Sequence, residues 1–165
     1  MPTDSQLLKT LSDVNYLETI GKKDKALEML RNLSLSGMYA DIYNFHQKFG
    51  QPCPDSPTLP DLKTIELRRK LIIEEAKEVD DELVNGDLNK IAHECIDLIV
   101  VAMGTLVACG VQPSVPWQMI QEANMRKIPN PTGGKILKPE GWVKADITPA
   151  IEAQKMVNSG NGMDM

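Results

Sequence analysis

The sequence predicts an all-α protein, a single-domain helical bundle, from its composition and its hydrophobic periodicity. Only 4% of the 165 residues are aromatic and nine are Met, so the apolar 42% consists mainly of Leu, Ile, Val, Ala and Met. Such a core suits packed helices better than sheets, which favour aromatic and β-branched residues. No segment alternates apolar and polar residues convincingly, whereas several repeat apolar residues every three or four positions.

The N-terminal third is predicted to be helical up to a proline-rich linker. Helical periodicity marks three segments, each followed by a glycine: 5–20, 22–35 and 38–49. Gly37 is expected to separate the second segment from the third. The four prolines of 51–60 exclude a regular helix or a central strand, so this stretch is predicted to be an ordered linker.

Two long helices with clear end signals are predicted next. Thr58 and Asp61 form a capping-box-like pair at the start of the first, whose apolar stripe continues to Leu83. The Asn-Gly pair at 85–86 ends this helix, and Asp87 can cap the following one. Because the connection is so short, the two helices are expected to be antiparallel neighbours.

The second long helix, predicted over 88–109, starts amphipathic and becomes apolar on all sides through 98–103. An all-apolar helix must be covered on every face, and one small chain has few elements to do so. We therefore expect a subunit interface, in a homodimer or a homotetramer. The apolar tract over 98–109 is too short to cross a bilayer, so no membrane partner is expected.

The C-terminal part is predicted to be a shorter helix followed by irregular structure. Ser114 and Pro116 start a helix to about Arg126, and prolines and glycines then punctuate the chain up to a short helix after Pro149. The predicted organisation is an N-terminal helical extension of unknown role over 1–35, a main domain over 36–148, and a short helix with a mobile tail over 149–165.

Charge and cysteine usage exclude several classes of protein. The formal net charge of −5 argues against a nucleic-acid-binding domain, which needs a basic face. Three widely spaced cysteines without a CxxC pair argue against a disulfide framework or a zinc finger. No basic segment followed by an apolar stretch marks a secretory signal, and a cytoplasmic location is expected.

Carboxylates concentrate on the two long helices. Residues 74–97 contain nine acidic side chains against Lys77 and Lys90, whereas 124–144 contain five basic side chains against Glu140. The nine acids are Glu74, Glu75, Glu78, Asp80, Asp81, Glu82, Asp87, Glu94 and Asp97. Of these, Asp80, Asp81 and Glu82 are expected to form an ordinary solvated face.

Two acidic pairs are placed to share a groove. Glu75 and Glu78 lie roughly 60° apart on one helix flank, and Glu94 and Asp97 are related in the same way on the next helix. If the helices pack through their apolar stripes, both pairs line one groove at the border of the core. Carboxylates converging there repel one another, and a hard divalent cation relieves that cost, so Mg²⁺ is predicted, with Mn²⁺ able to substitute.

A second function class is a non-catalytic helical interaction protein whose acidic groove binds the basic surface of a partner. Of the two histidines, His46 is predicted to be packed, and His93 to lie outside the metal site because it points about 100° from Glu94. Trp117 and Trp142 can either contact a base or fill an interface.

The acidic motifs carry a family resemblance. EExxE at Glu74, Glu75 and Glu78, followed by ExxD at Glu94 and Asp97, resembles the signature of the MazG-like, dimeric dUTPase-like all-α nucleoside triphosphate pyrophosphohydrolases. The resemblance covers about residues 38–147. It implies Mg²⁺-dependent hydrolysis of a (deoxy)nucleoside triphosphate to the monophosphate and pyrophosphate, with water attacking the α-phosphorus.

The resemblance also implies residue roles. Glu75, Glu78, Glu94 and Asp97 would bind the metal, and Glu74 would position or deprotonate the attacking water. Residues after the third core helix and in the segment 133–142 would contact the phosphates: Asn124, Lys127, Lys135 and Lys138. The substrate is expected to be dUTP or dGTP, and phosphoribosyl-ATP is the alternative within the superfamily.

Overall fold

The computed structural model describes Asp13 and residues 23–160, with side chains described at Asp13 and from residue 35 to residue 156. Over this part the chain forms five helices and no named strand, which confirms the predicted all-α class. We label them in chain order: α1 Lys23–Lys48, α2 Leu62–Asn85, α3 Leu88–Ala108, α4 Ser114–Met125 and α5 Thr148–Gly160. Apart from Asp13, the helix predicted over 5–20 lies outside the described residues.

Helix α1 joins two segments that the sequence predicted to be separate. The helix runs through Gly37 without interruption, so the expected break there is wrong. Glycine in a helix interior costs roughly 0.5–1 kcal/mol relative to Ala, which continuous periodicity on both sides can offset. The end comes instead before Gly50, which takes the left-handed conformation at φ 63°. The predicted domain boundary at residues 35–36 therefore lies inside a helix.

Helix α2 begins at a different cap from the one predicted. Asp61, not Thr58, is the N-cap, and its Oδ1 accepts a hydrogen bond from the backbone N–H of Thr64 at 2.7 Å. The backbone N–H of Thr58 donates instead to the carbonyl of Cys109 at 2.9 Å. The short carboxylate directly before the helix reaches the third amide of its first turn, so it takes the capping role. The linker over 51–60 is irregular, as predicted.

Helices α2 and α3 form an antiparallel hairpin, as the sequence predicted. Gly86 caps the end of α2 in the left-handed conformation at φ 75°, and its N–H donates to the carbonyl of Glu82. Asp87 caps α3, its side chain accepting from the N–H groups of Asn89 and Lys90. The two helices pack against each other more extensively than any other pair, and α1 packs against α3.

The core is small and lies between α1 and α3. It centres on Tyr39, Met103 and Val107, with partly buried Leu35, Ile42, Tyr43, Cys53 and Leu106 around them. Helix α2 has no fully buried residue, and several large apolar side chains on the hairpin stay exposed. These include Ile73 at 55%, Leu83 at 59%, Ile96 at 59% and Ile99 at 52% exposure. A single chain therefore leaves much of the hairpin uncovered.

Helix α3 as a whole is long and apolar enough to cross a membrane by length and composition. The predicted start of the helix at residue 88 is confirmed, but the length of the apolar tract over 98–109 alone understated the hydropathy of the whole helix. The core helices of soluble proteins meet the same criterion, and α3 packs against both α1 and α2.

The C-terminal elements lie away from the hairpin. Helix α4 packs against α1 and α5, and not against α2 or α3. Between α4 and α5 the chain is irregular, as predicted, apart from an isolated antiparallel bridge between Ile128 and Leu137. Bidentate hydrogen bonds between the Gln154 amide and the backbone of Gln112 hold α5 to the turn that precedes α4.

Candidate active site

Three of the four predicted metal ligands meet in the groove between α2 and α3. Glu75 and Glu78 come from α2 and Glu94 from α3, and each offers a carboxylate oxygen within 4.8 Å of the others. The convergence follows from the hairpin: acids three residues apart share one flank of a helix, and the short turn brings the two flanks together.

Asp97, the fourth predicted ligand, lies beside this group with a different partner. Its Oδ2 is 3.2 Å from Nε2 of His93, one turn earlier on α3. Residues four apart share a helix face, so His93 faces Asp97 although it points away from Glu94. The charge of Asp97 nevertheless acts on the group, since it raises the pKa of Glu75.

The carboxylates destabilise each other's charged forms. The pKa of Glu75 is raised, first by loss of hydration and then by the charges of Asp97, Glu74 and Glu94. The pKa of Glu78 is raised by loss of hydration and by Glu75 and Glu94. Both shifts are of the kind expected where like charges share a site without a counterion.

The donor set suits a hard divalent cation. All the converging atoms are carboxylate oxygens, the ligands that Mg²⁺ and Mn²⁺ prefer over the nitrogen and sulfur ligands typical of zinc. A cation among them would remove the repulsion that raises the pKa of Glu75 and Glu78. The residues present therefore fit the predicted metal.

Glu74, the predicted base, is exposed and lies outside the converging group. Adjacent residues on a helix point about 100° apart, so Glu74 does not share the direction of Glu75. Its charge still contributes to the raised pKa of both Glu75 and Glu78, which places it close to the group.

Glu82 departs from the prediction of a solvated face over 80–82. Its Oε1 lies 3.7 Å from Nζ of Lys90 on α3, and its Oε2 is buried without a hydrogen-bond partner among the described residues. Asp80 and Asp81 are exposed, as expected. Glu82 lies seven residues after Glu75, two helical turns along the same face, and so continues the acidic groove.

Arg68, a residue that no sequence pattern had indicated, connects the two helices of the hairpin. Its Nε donates to Thr105 Oγ1 at 3.2 Å and its Nη2 to the carbonyl of Val101 at 2.6 Å. A Cβ at Gly104 would overlap this Nη2, so the glycine allows the close approach of Arg68. The sequence does place a charged residue on the apolar stripe between Ile65 and Ile72, and this position could have indicated the role of Arg68.

The prediction that His46 is packed is confirmed. His46 is 2% exposed, and its Nδ1 lies 2.7 Å from the carbonyl of Pro52, so it is a packed histidine. The three cysteines are free.

Three of the four predicted phosphate-contacting residues assemble around Trp142. Nζ of Lys127 lies 5.4 Å and Nζ of Lys138 4.8 Å from the centre of the Trp142 ring. Lys127 also donates to Asn124 Oδ1 at 2.8 Å. Trp142 is held by its indole N–H, which donates to the carbonyl of Ala123 at 2.7 Å. We call residues 124–142 the basic arm.

Lys135 does not join this cluster; it is exposed on the same arm. A cavity of about 390 Å³ lies beside the cluster, lined by Arg126, Trp142 and residues 139–141 and 143. Helix α4, from which the basic arm extends, does not pack against the hairpin, and no ion pair joins the arm to the acidic groove among the described residues.

Comparison with known proteins identifies the family. The model of the phosphoribosyl-ATP pyrophosphohydrolase family matches residues 42–124, about half of the chain, and includes all the acidic ligands and Asn124. A search of curated proteins finds no match to the chain. The match thus ends at the start of the basic arm.

The family match and the carboxylate groove agree on the class of enzyme and favour it over a non-catalytic interaction protein. The matched family is part of the MazG-like all-α superfamily that the acidic motifs resemble. The chain belongs to the phosphoribosyl-ATP pyrophosphohydrolase family and is a nucleotide pyrophosphohydrolase.

Proposed function

We propose that the protein hydrolyses a (deoxy)nucleoside triphosphate, dUTP or dGTP, to the monophosphate and pyrophosphate with the help of Mg²⁺. The observation that carries the proposal is the convergence of Glu75, Glu78 and Glu94 within 4.8 Å in a member of a pyrophosphohydrolase family. A triphosphate brings several negative charges, and a groove of carboxylates can accept it only together with cations.

The metal would be held by Glu75, Glu78 and Glu94, with Asp97 beside them. Bound there, Mg²⁺ would lower the pKa of a water molecule and neutralise phosphate charge. The chain itself supplies the fixed carboxylates on two packed helices, so the site needs little rearrangement to bind the ion. The contact of His93 with Asp97 orients that carboxylate at the edge of the group.

Glu74 is proposed as the general base. It takes a proton from the attacking water, whose oxygen forms a bond to the α-phosphorus. The bond between the α-phosphorus and the bridging oxygen breaks, and pyrophosphate leaves with the bonding electron pair. Glu74 is suited to this role because it lies beside the cluster of Glu75, Glu78 and Glu94 and is not itself part of that cluster.

The basic arm is proposed to hold the phosphates through Lys127, Lys138 and Asn124, with Lys135 reaching them from the same arm. Because α4 packs away from the hairpin, we propose that the arm of one chain serves the groove of a second copy, within a homodimer or homotetramer. The exposed apolar side chains of the hairpin, such as Ile73 and Ile99, support such an assembly.

Phosphoribosyl-ATP is the second candidate substrate, and the name of the matched family favours it. It carries the same triphosphate and would undergo the same bond cleavage. The two candidates differ in the base, in the 2′ position of the sugar and in the second ribose phosphate, and the same carboxylate groove would serve either.

The test is a panel of all dNTPs and NTPs, with phosphoribosyl-ATP, incubated with the protein and Mg²⁺ in ¹⁸O-labelled water. We expect a monophosphate and pyrophosphate, with the label in the monophosphate. Release of inorganic phosphate, or label in pyrophosphate, would contradict attack at the α-phosphorus.

A further inference from the structure

Charged residues face each other at regular intervals across the α2–α3 hairpin. Glu78 lies opposite Glu94 in the carboxylate cluster. Four residues further along α2 and four residues earlier on α3, Oε1 of Glu82 lies 3.7 Å from Nζ of Lys90. Four residues span about 6 Å of helix axis, slightly more than one turn. The ammonium of Lys90 is therefore about one turn from the carboxylate cluster, on the side of the short α2–α3 connection.

Lys90 is placed to serve a ligand in the acidic groove. It lies on the face of α3 that carries Glu94, because residues four apart share a helix face. By contrast, Lys77 points away from the groove, at about 160° around α2 from Glu75. Arg68 lies at the opposite end of the hairpin contact, where its Nε and Nη2 donate to α3. The hairpin thus presents an exposed ammonium to the groove at the end nearest its turn.

The contact between Lys90 and Glu82 leaves the ammonium available. A separation of 3.7 Å is longer than a hydrogen bond, and the Lys90 side chain is 60% exposed. Oε2 of Glu82 is buried and has no hydrogen-bond partner in the part of the chain that the structure describes. An ammonium has three N–H donors, so Lys90 can bind an anion while Glu82 keeps it over the groove.

We propose that Lys90 binds the terminal phosphates of the substrate, so that the triphosphate extends from the carboxylate cluster towards the turn at 85–86. The inference rests on the proposed function, which places the α-phosphorus at the cluster. Lysine binds phosphate oxygens through charge-assisted hydrogen bonds. When the bond to the α-phosphorus breaks, pyrophosphate leaves with the electron pair, and the ammonium stabilises that negative charge.

The opposite direction along the hairpin suits phosphates less well. There a cavity of about 410 Å³ is walled largely by apolar side chains, among them Leu59, Ile65 and Ile72. Phosphate oxygens moved against such a wall would lose hydration without gaining hydrogen-bond donors. Lys90 and this apolar wall therefore indicate the same direction for the triphosphate.

A brace between the two helices is the alternative role of the Lys90–Glu82 pair, and matched variants separate the two roles. Lys90→Gln removes the ammonium, whereas Glu82→Gln removes its partner and keeps the ammonium. Lys90→Arg keeps a cation that binds phosphate. Lys77→Gln replaces an exposed lysine on the outer side of α2 and controls for the loss of one positive charge.

Calorimetry measures the binding of imidodiphosphate, a pyrophosphate analogue, to each protein in saturating Mg²⁺. Lys90→Gln should bind it at least about tenfold more weakly than wild type, because a charge-assisted hydrogen bond is lost. Lys90→Arg and Lys77→Gln should stay within about threefold of wild type. Glu82→Gln should bind no more weakly than wild type, since it removes a negative charge beside the phosphates.

Titration with Mn²⁺ in the absence of phosphate gives a second readout. Lys90→Gln should bind the ion at least as tightly as wild type, since it removes a positive charge near the cluster. If Lys90 acted only by bracing the hairpin, its loss would loosen the carboxylates and weaken Mn²⁺ binding instead.

Equal imidodiphosphate binding by Lys90→Gln and wild type, an equal loss in Glu82→Gln, weaker Mn²⁺ binding by Lys90→Gln, or no imidodiphosphate binding by wild type would overturn the inference. Hydrolysis of the substrate panel is measured in parallel to separate the two proposals. Hydrolysis to monophosphate and pyrophosphate with the same KM in wild type and Lys90→Gln refutes the Lys90 contact alone. Lys90-dependent binding of imidodiphosphate by a protein that hydrolyses no triphosphate supports the contact and refutes the proposed reaction.

Discussion

The acidic groove and the basic arm are built in different ways, although a triphosphate needs both. The acidic groove draws on Glu75, Glu78 and Glu94, which one helical hairpin brings together. The basic arm is irregular, and its cluster depends on Trp142 reaching back to the carbonyl of Ala123. The first arrangement follows from helical periodicity, and the second depends on contacts between residues distant in sequence.

The helix that carries the basic arm also does not pack against the hairpin that forms the groove. The arm follows α4, which packs against α1 and α5, while the groove lies between α2 and α3. Opposite charges that serve one ligand must come together, so the absence of packing between α4 and the hairpin supports the proposal that two copies share each site. The difference between the regions can be tested by altering each in turn.

The largest effect on activity is expected from a substitution in the acidic groove. Glu75→Gln removes a metal-binding oxygen and should reduce kcat by at least about 100-fold, since even outer residues of a metal site cost 10–100-fold. Steady-state hydrolysis with Mg²⁺ measures this. Asp81→Asn, an exposed acid on the same helix, is the control and should retain activity. Activity of Glu75→Gln near that of wild type would exclude this residue from the site.

A smaller effect is expected from the basic arm. Lys127→Gln combined with Lys138→Gln removes two cations around Trp142 and should raise KM by roughly tenfold, with a smaller change in kcat. Steady-state kinetics with the best substrate of the panel measures both constants. Lys144→Gln, an exposed lysine beyond the cluster, should leave KM unchanged, and an equal rise in that variant would argue for a general charge effect.

Mixing variants tests whether the two regions come from different copies. Glu75→Gln has an intact arm, and the double lysine variant has an intact groove. The two variants are unfolded and refolded together in equal amounts and assayed at a substrate concentration well below the wild-type KM, where each alone is nearly inactive. A shared site should then restore about a quarter of wild-type activity, because half of the dimers are mixed and one of their two sites is intact. Activity no higher than the average of the separate variants would place both regions of each site in one chain.

A matched pair of glycine substitutions tests the packing beneath the groove. Gly104→Ala places a Cβ against the guanidinium of Arg68 and should lower the free energy of unfolding by about 1–3 kcal/mol. Gly37→Ala, in the open middle of α1, should instead raise it by roughly 0.5–1 kcal/mol. Urea unfolding measures both, and similar changes in the two variants would show that Arg68 does not approach Gly104 closely.

The smallest effect is expected in how the stability of the metal-free protein depends on pH. Because the pKa of Glu78 is raised on folding, the folded state binds more protons than the unfolded state just above the ordinary carboxyl pKa. Its contribution to stability is present below that value and is lost as pH rises through the raised pKa. In EDTA, Glu78→Gln should therefore be more stable than wild type at pH 7, with a smaller difference at pH 4.

Urea unfolding at both pH values measures this difference. The effect is expected to be small because the Glu78 side chain is exposed and salt screens its charge. Saturating Mg²⁺ should reverse the order at pH 7, since wild type gains a bound ion. A difference between the two proteins that does not change with pH would contradict repulsion within the group.

The features of the fold that depend on short-range sequence patterns were predicted correctly. The hairpin, its Asn-Gly turn, the Asp87 cap and the convergence of the acidic pairs all follow from periodicity and short-range signals. The continuity of α1 through Gly37 was missed because glycine weakens a helix without having to end it. The choice of Asp61 over Thr58 as the cap depends on the backbone path of the linker, where Thr58 binds Cys109.

The features that could not be predicted depend on contacts across elements. The role of Arg68 requires Gly104 to lie opposite it on α3, which no local pattern reveals. The cluster around Trp142 likewise joins the end of α4 to the irregular arm, so Lys138 could be placed only by resemblance and Lys135 falls outside it.

Direct measurement of metal binding tests the account most sharply. Metal-free protein is titrated with Mn²⁺ while electron paramagnetic resonance reports the free ion, for wild type, Glu75→Gln and Asp81→Asn. We predict saturable binding to wild type and Asp81→Asn, and at least about tenfold weaker binding to Glu75→Gln. Equal binding by all three proteins, or no binding by wild type, would contradict a metal centre between α2 and α3.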